Sequence, residues 1–271
     1  MGRINFLKIH RKNHSLPKLP IKILVILVSI FNTGLSVTGQ TSNIDAKEII
    51  RIADERFRGL SSKGEFTMTI VRPGWSRMVT MKSWSKGTEF SMIYITSPAK
   101  EKGQVFLKRD NEMWNWIPAI ERLVKIPPSM MLQSWMGSDF TNDDLLKESS
   151  IVKDYMHNLI GEEEVNGINC YKLELTPYED AAVVWGKLVV WISKKNYNRL
   201  KTEYFDEDLY LVNVEHLTEI KMMSDRLIPT RMEMVPVDED GNKTILVFDE
   251  IEFDIPIKES FFSQQNMKRI R

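Results

Sequence analysis

The sequence predicts a mainly β fold, a strongly curved or barrel-like antiparallel sheet with helices packed against it. Three observations predict it. About a dozen short strand-like segments are separated by turn signals at close intervals. Several of those segments are apolar on both sides, which a sheet wet on one face cannot explain. A single clear amphipathic helix precedes them all.

The chain opens with a segment of a different kind. Its first 22 residues hold six basic groups (Arg3, Lys8, Arg11, Lys12, Lys18, Lys22) and no acid. Ile23 to Phe31 is continuously apolar and too short to span a bilayer. Val37-Thr38-Gly39 then fits a signal-peptidase site, so residues 1–39 read as a cleaved secretory signal and 40–271 as a single domain. The alternative is an uncleaved membrane anchor. Removal of the signal leaves 232 residues with 31 basic groups against 37 acidic ones, a formal charge of −6. An acidic surface argues against a nucleic-acid partner, whose affinity comes from phosphate neutralisation. Cys170 is the only cysteine, and export without disulfides fits a bacterial periplasm, where a large core can replace staples.

In the helix, Ala46, Ile49, Ile50, Ala53, Phe57 and Leu60 fall on one stripe, with Ser42 or Asn43 as cap and Gly59 near the end. The strands begin with Phe66–Val71, Met78–Trp84, Phe90–Thr96, Val105–Arg109, Met113–Ile117 and Leu123–Ile126. Cys170–Leu175, Leu188–Ile192, Leu200–Phe205, Val212–Ile220, Arg231–Val235 and Thr244–Phe253 follow. Asn166-Gly167 and Asp240-Gly241 are strong hairpin signals, and strands joined by tight turns make an antiparallel meander. Ile245, Val247, Ile251 and Phe253 are expected to share a face, as are Thr230, Met232 and Met234. Phe90, Met92 and Tyr94 oppose Ile93 and Ile95, so that strand needs apolar cover on both sides.

Between Ile126 and Leu145 runs "IPPSMMLQSWMGSDFTNDDL". Pro127-Pro128 suits the first turn of a helix, Met131, Leu132, Trp135 and Met136 gather on one face, and Gly137 stops it. Thr141 then begins a capping pattern for a second short helix through Leu145 and Leu146. Methionine repacks easily and is over-used at adaptable binding surfaces. On the residues alone this segment is either a plug at one end of a barrel or a movable lid over a cavity for flexible apolar ligands.

Catalytic chemistry finds little support. His157 and His216 lie in separate strand-like segments without a nearby Cys or His partner, so no metal site and no cofactor are expected. No G-x-S-x-G elbow occurs, and Cys170 reads as a buried small hydrophobe. Asp143 and Asp144 are explained by capping, Glu162 to Glu164 by a solvated hairpin end, and Asp238 to Asn242 by a turn. The chain is not expected to be an enzyme.

The run from Ser97 to Leu145, with "KGQVFL", "MWNWIPAIERLVKI" and above all "MGSDFTNDDL", resembles the outer-membrane lipoprotein-sorting protein family of LolA-like periplasmic carriers. "WGKLVVWISKKNYNRLKTEYFDED" and "IPIKESFFSQQNM" resemble the same family, so that the likeness covers roughly Ala46 to Met267. The resemblance implies an incomplete antiparallel β-barrel of about eleven strands, closed on one side by helices, around a hydrophobic cavity for acyl chains. It favours the lid reading, with Met130, Met131, Leu132, Trp135 and Met136 as lid and Trp114, Trp116, Phe90, Met92, Met232 and Met234 as wall. An acyl chain of ~15 methylenes gains on the order of 12 kcal/mol on leaving water, so a carrier must shield it yet still let it go.

The expected function is therefore a periplasmic carrier for the acyl chains of a lipoprotein or lipid. It would be loaded by an inner-membrane exporter of the ABC or RND type and would deliver to an outer-membrane acceptor. Charging Trp135 or Met131 is expected to weaken cargo binding more than stability. The rival is a non-catalytic adaptor or structural subunit of an envelope transporter complex, with a filled interior.

Overall fold

A computed structural model describes residues 45–271 apart from 111, 147–149 and 182. The expected signal segment lies outside the described residues. Helix α1 spans Ala46–Arg58, and Asp45 caps it by accepting from the Lys47 N–H at 3.3 Å. Glu48 in the first turn and Arg56 and Arg58 in the last complement the helix dipole. Gly59 ends it at φ 69°, where a Cβ would stand 3.0 Å from the Asp254 carboxylate. Leu60, expected on the buried stripe, falls beyond that stop and is 78% exposed.

The strands are β1 (Ser61–Arg72), β2 (Trp75–Lys86), β3 (Phe90–Ser97), β4 (Val105–Arg109), β5 (Glu112–Ile117), β6 (Arg122–Ile126), β7 (Tyr155–Val165), β8 (Ile168–Pro177), β9 (Lys187–Ser193), β10 (Arg199–Phe205), β11 (Leu211–Met223), β12 (Arg226–Pro236) and β13 (Lys243–Phe253). They form one antiparallel sheet in the order β6-β5-β4-β3-β2-β1-β13-β12-β11-β10-β9-β8-β7. The first and last strands of that order do not pair, so the sheet is not closed into a barrel. Among the described residues thirteen strands stand in place of the expected eleven or so. The one absent from the sequence reading, β7, is an edge strand that is mostly exposed and carries Glu162, Glu163 and Glu164, so it shows no apolar pattern.

Asn166 and Gly167 both take positive φ and close the β7–β8 hairpin as expected. In β13 the buried set is Leu246, Phe248, Ile251 and Phe253 rather than Ile245 and Val247 with the last two. The cause is a bulge: Glu65 pairs with Glu250 and Phe66 with Phe248, leaving Asp249 over. One extra residue shifts the alternation by one.

Both faces of the sheet are covered. Ile93, Ile95, Phe106, Met113, Leu188, Val190, Met232 and Leu246 join α1 in the main core on one face. On the other, Met92, Tyr94, Val105, Leu107 and Trp114 pack under the C-terminal segment, whose Phe262, Met267 and Ile270 are buried. A third cluster, Cys170, Val189, Trp191 and Leu200, completes that side.

Candidate functional site

Residues from β1 to β4 and from β9 to β13 line one cavity on the main-core face, so the sheet wraps around it. The void is about 1480 Å³, counting the solvent open to its mouth. Its apolar wall includes Phe57, Phe66, Met81, Ile93, Phe140, Trp185, Leu188, Met232, Phe248 and Ile251. Phe57 of α1 meets Phe248 edge-on with ring centres 5.4 Å apart, which fastens the helix to the sheet at the cavity's side.

One part of the wall is polar. Thr202 and Tyr204 of β10 stand beside Glu215 of β11, because Thr202 pairs with Glu215 across the strands. The Tyr204 hydroxyl donates to Glu215 Oε2 at 3.2 Å, and Arg199 lies 3.3 Å from the same oxygen. Burial, joined by the negative Glu215, pushes the Tyr204 hydroxyl well above its ordinary range. The Thr202 hydroxyl is buried and has no hydrogen-bond partner. Next to this group the Trp185 indole lies 5.2 Å from the Tyr204 ring and donates to Asp144 Oδ1 at 2.8 Å.

The methionine-rich segment is built differently from the expected helix. Pro128–Met130 and Trp135–Gly137 are two separate 3-10 turns, and Met136 has φ 52°, outside the helical region. A Ser134–Thr141 bridge closes the loop. The second short helix, α2 (Asn142–Leu146), is where it was expected, capped reciprocally: Thr141 N–H donates to Asp144 Oδ2 at 2.8 Å and Asp144 N–H to Thr141 Oγ1 at 3.0 Å. Arginines fasten the loop to the sheet. Arg72 meets both oxygens of Asp139 at 2.9 and 3.1 Å, Thr244 donates to Asp139 Oδ2 at 2.7 Å, and Arg77 donates to the Met136 carbonyl.

Of the expected wall and lid residues, Met232 lines the cavity, and Phe90 borders it while its ring stacks on Phe262 under the C-terminal segment. Met131, Trp135 and Met234 are buried in the main core, and Met136 is half-buried against it. The Trp135 ring lies 5.1 Å from Phe106. Met130 and Leu132 are exposed. Met92, Trp114 and Trp116 pack on the opposite face under the C-terminal segment, because a strand's side chains alternate and Ile93 and Met113 hold the cavity side. Trp185, Tyr204, Thr202, Glu215 and Arg199 were missed, since nothing in a polar–apolar alternation says which face is inward.

A family model whose description reads "Uncharacterized protein"-like matches residues 87–269. The chain belongs to that family. No curated protein matches it. Among solved structures, a DUF1329 family protein from Desulfovibrio piger is 26% identical, with a TM-score of 0.73 over 81% of this chain and 95% of that one. A domain assigned to outer membrane lipoprotein sorting from Vibrio parahaemolyticus is 24% identical, with a TM-score of 0.75 over 83% and 98%. A LolA superfamily protein from Nitrosomonas europaea is 22% identical, with a TM-score of 0.72 over 82% and 99%. The chain shares its fold with these structures, the LolA superfamily protein among them, as the Ser97–Leu145 resemblance implied. Among the described residues no helix is long and apolar enough to cross a membrane.

Proposed function

We propose that this chain is a periplasmic carrier that binds the acyl chains of a lipoprotein or lipid reversibly. An inner-membrane exporter of the ABC or RND type loads it, and it delivers to an outer-membrane acceptor. The observation that carries this reading is the cavity, open to solvent at its mouth and walled by Phe66, Met81, Phe140, Met232 and Phe248. The apolar part of that wall suits a hydrocarbon chain, and each methylene moved against it from water gains about 0.8 kcal/mol. The LolA-superfamily fold supports the reading, and it requires no catalytic step.

The test is native mass spectrometry of protein purified from the periplasm of cells expressing the full chain. The expected result is a lipid-sized adduct that organic extraction removes. Ser83, half-buried on the cavity wall, is the site for a blocking variant: Ser83→Trp is expected to project an indole into the void. Loss of the adduct in folded Ser83→Trp supports the carrier. A bare wild-type protein that also ignores added fluorescent fatty acid overturns it and leaves the adaptor reading in front.

A further inference from the structure

One end of the cavity is polar in an ordered way. Ser62 pairs with Ser85, Ser85 with Ser91 and Ser91 with Lys108, so the four side chains form one row across β1 to β4. All four line the cavity, and the three serines are half-buried. Two residues inward along the strands the row becomes Gly64, Ser83, Ile93 and Phe106, and beyond it Phe66 pairs with Met81. The wall thus passes from hydroxyls to hydrocarbon within a few residues.

Two ammonium groups converge at the polar end. Lys108 is only 8% exposed, and it donates to the Thr88 carbonyl in the β2–β3 turn. Lys153, from the short helix α3 (Ser150–Lys153), donates to Thr88 Oγ1 at 3.1 Å. Among the described residues the Glu89 carboxylate lies 3.5 Å from Lys153 and accepts from the Thr88 hydroxyl at 2.7 Å. A lysine carries three donors on a compact charge, and hydroxyls can donate beside it. Such a set matches the oxygens of a carboxylate or phosphate.

We infer that this end of the cavity is a headgroup site for an anionic amphiphile. Carboxylate or phosphate oxygens lie against Lys108, Lys153 and the Ser85–Ser91 hydroxyls, and the acyl chain runs toward Phe66, Met81 and Phe248. The inference rests on the carrier reading and adds the class of lipid. Chain burial is blind to the head, so discrimination is assigned to these cations; Arg58 and Arg199, which also line the cavity, are paired with Asp54 and Glu215.

The test is displacement of N-phenyl-1-naphthylamine from the purified protein by four competitors of equal chain length: palmitate, 1-hexadecanol, palmitoyl-lysophosphatidylglycerol and palmitoyl-lysophosphatidylcholine. Wild type is expected to prefer the anionic member of each pair by about fivefold or more, as one well-placed charge contact gives. The preference falls with added salt and disappears in Lys108→Gln, while hexadecanol and lysophosphatidylcholine bind as before. Lys153→Gln, at an exposed position, shrinks it and serves if Lys108→Gln does not fold. A preference confined to palmitate assigns a carboxylate, and one confined to lysophosphatidylglycerol assigns a phosphodiester with no cation beside it. Equal affinities within each pair, or a preference that survives both substitutions, overturn the headgroup site and leave the carrier standing. Failure of all four competitors to displace the probe overturns both.

Discussion

Trp185 donates its indole N–H to Oδ1 of Asp144 at 2.8 Å, and this bond ties the cap of α2 to the strand wall that holds Tyr204. Asp144 also accepts the Thr141 N–H, so its two oxygens serve two elements far apart in sequence. Burial nevertheless dominates: it pushes the carboxyl up to about 6, against the hydrogen bonds from Thr141 and Trp185, which pull the other way.

That shift makes a pH prediction. A carboxyl whose folded-state pKa is raised favours the folded state fully below its unfolded value and loses this as pH climbs through the folded value. For Asp144 the window runs from 3.8 to about 6. Asp144→Asn leaves one acceptor oxygen for the Thr141 and Trp185 N–H groups, a constant cost, but removes the titration. The stability gap between wild type and Asp144→Asn should therefore narrow between pH 4.5 and 7.5, by about 2 kcal/mol. Urea unfolding of both proteins at the two pH values measures it. Taking the difference between them cancels the other shifted carboxyls, such as Glu233 and Asp254, whose values are lowered. Parallel curves would show that Asp144 is solvated.

Trp135 yields a second prediction, opposite to the one the sequence suggested. It is 1% exposed, packs on Phe106, and sits in a loop that Arg72, Arg77 and Thr244 hold to the sheet. Trp135→Ala should cost roughly 3–5 kcal/mol of stability, in the range for a buried aromatic truncated in a packed core. At temperatures where the variant is folded, displacement of N-phenyl-1-naphthylamine by palmitate should match wild type. A variant of normal stability with weakened displacement would restore Trp135 to the ligand.

These two cases mark how far the sequence could be read. Tight turns and alternation reveal most strands, and Asn166-Gly167 forms its hairpin with both residues at positive φ, because such signals are local. The Thr141–Asp144 cap is legible for the same reason. The cavity wall is not. Met92 and Ile93 are equally apolar, and what sends one under Phe262 and the other toward the cavity is the distant C-terminal segment. The bulge at Asp249 moves the buried set of β13 by one residue without any glycine or proline to announce it. Thr202, Glu215 and Lys108 become meaningful only when registers place them beside residues on neighbouring strands.

The C-terminal segment carries the last prediction. Phe262 and Met267 are fully buried, Phe262 stacks on Phe90 at 5.5 Å, and Arg109 donates to the Phe262 carbonyl at 3.2 Å. Together they cover Met92, Tyr94, Val105, Leu107 and Trp114. Phe262→Ala should cost roughly 3–5 kcal/mol, since a truncated aromatic in a closed cluster leaves a cavity. Removal of residues 259–271 should do more: it exposes the apolar side of β3 to β5, where a large open patch promotes association. Thermal melts and binding of a naphthalene sulfonate dye distinguish the outcomes. A truncated chain that melts as wild type and stays monomeric would mean that this face of the sheet is stable in water, and that its double-sided apolar strands have some other cause.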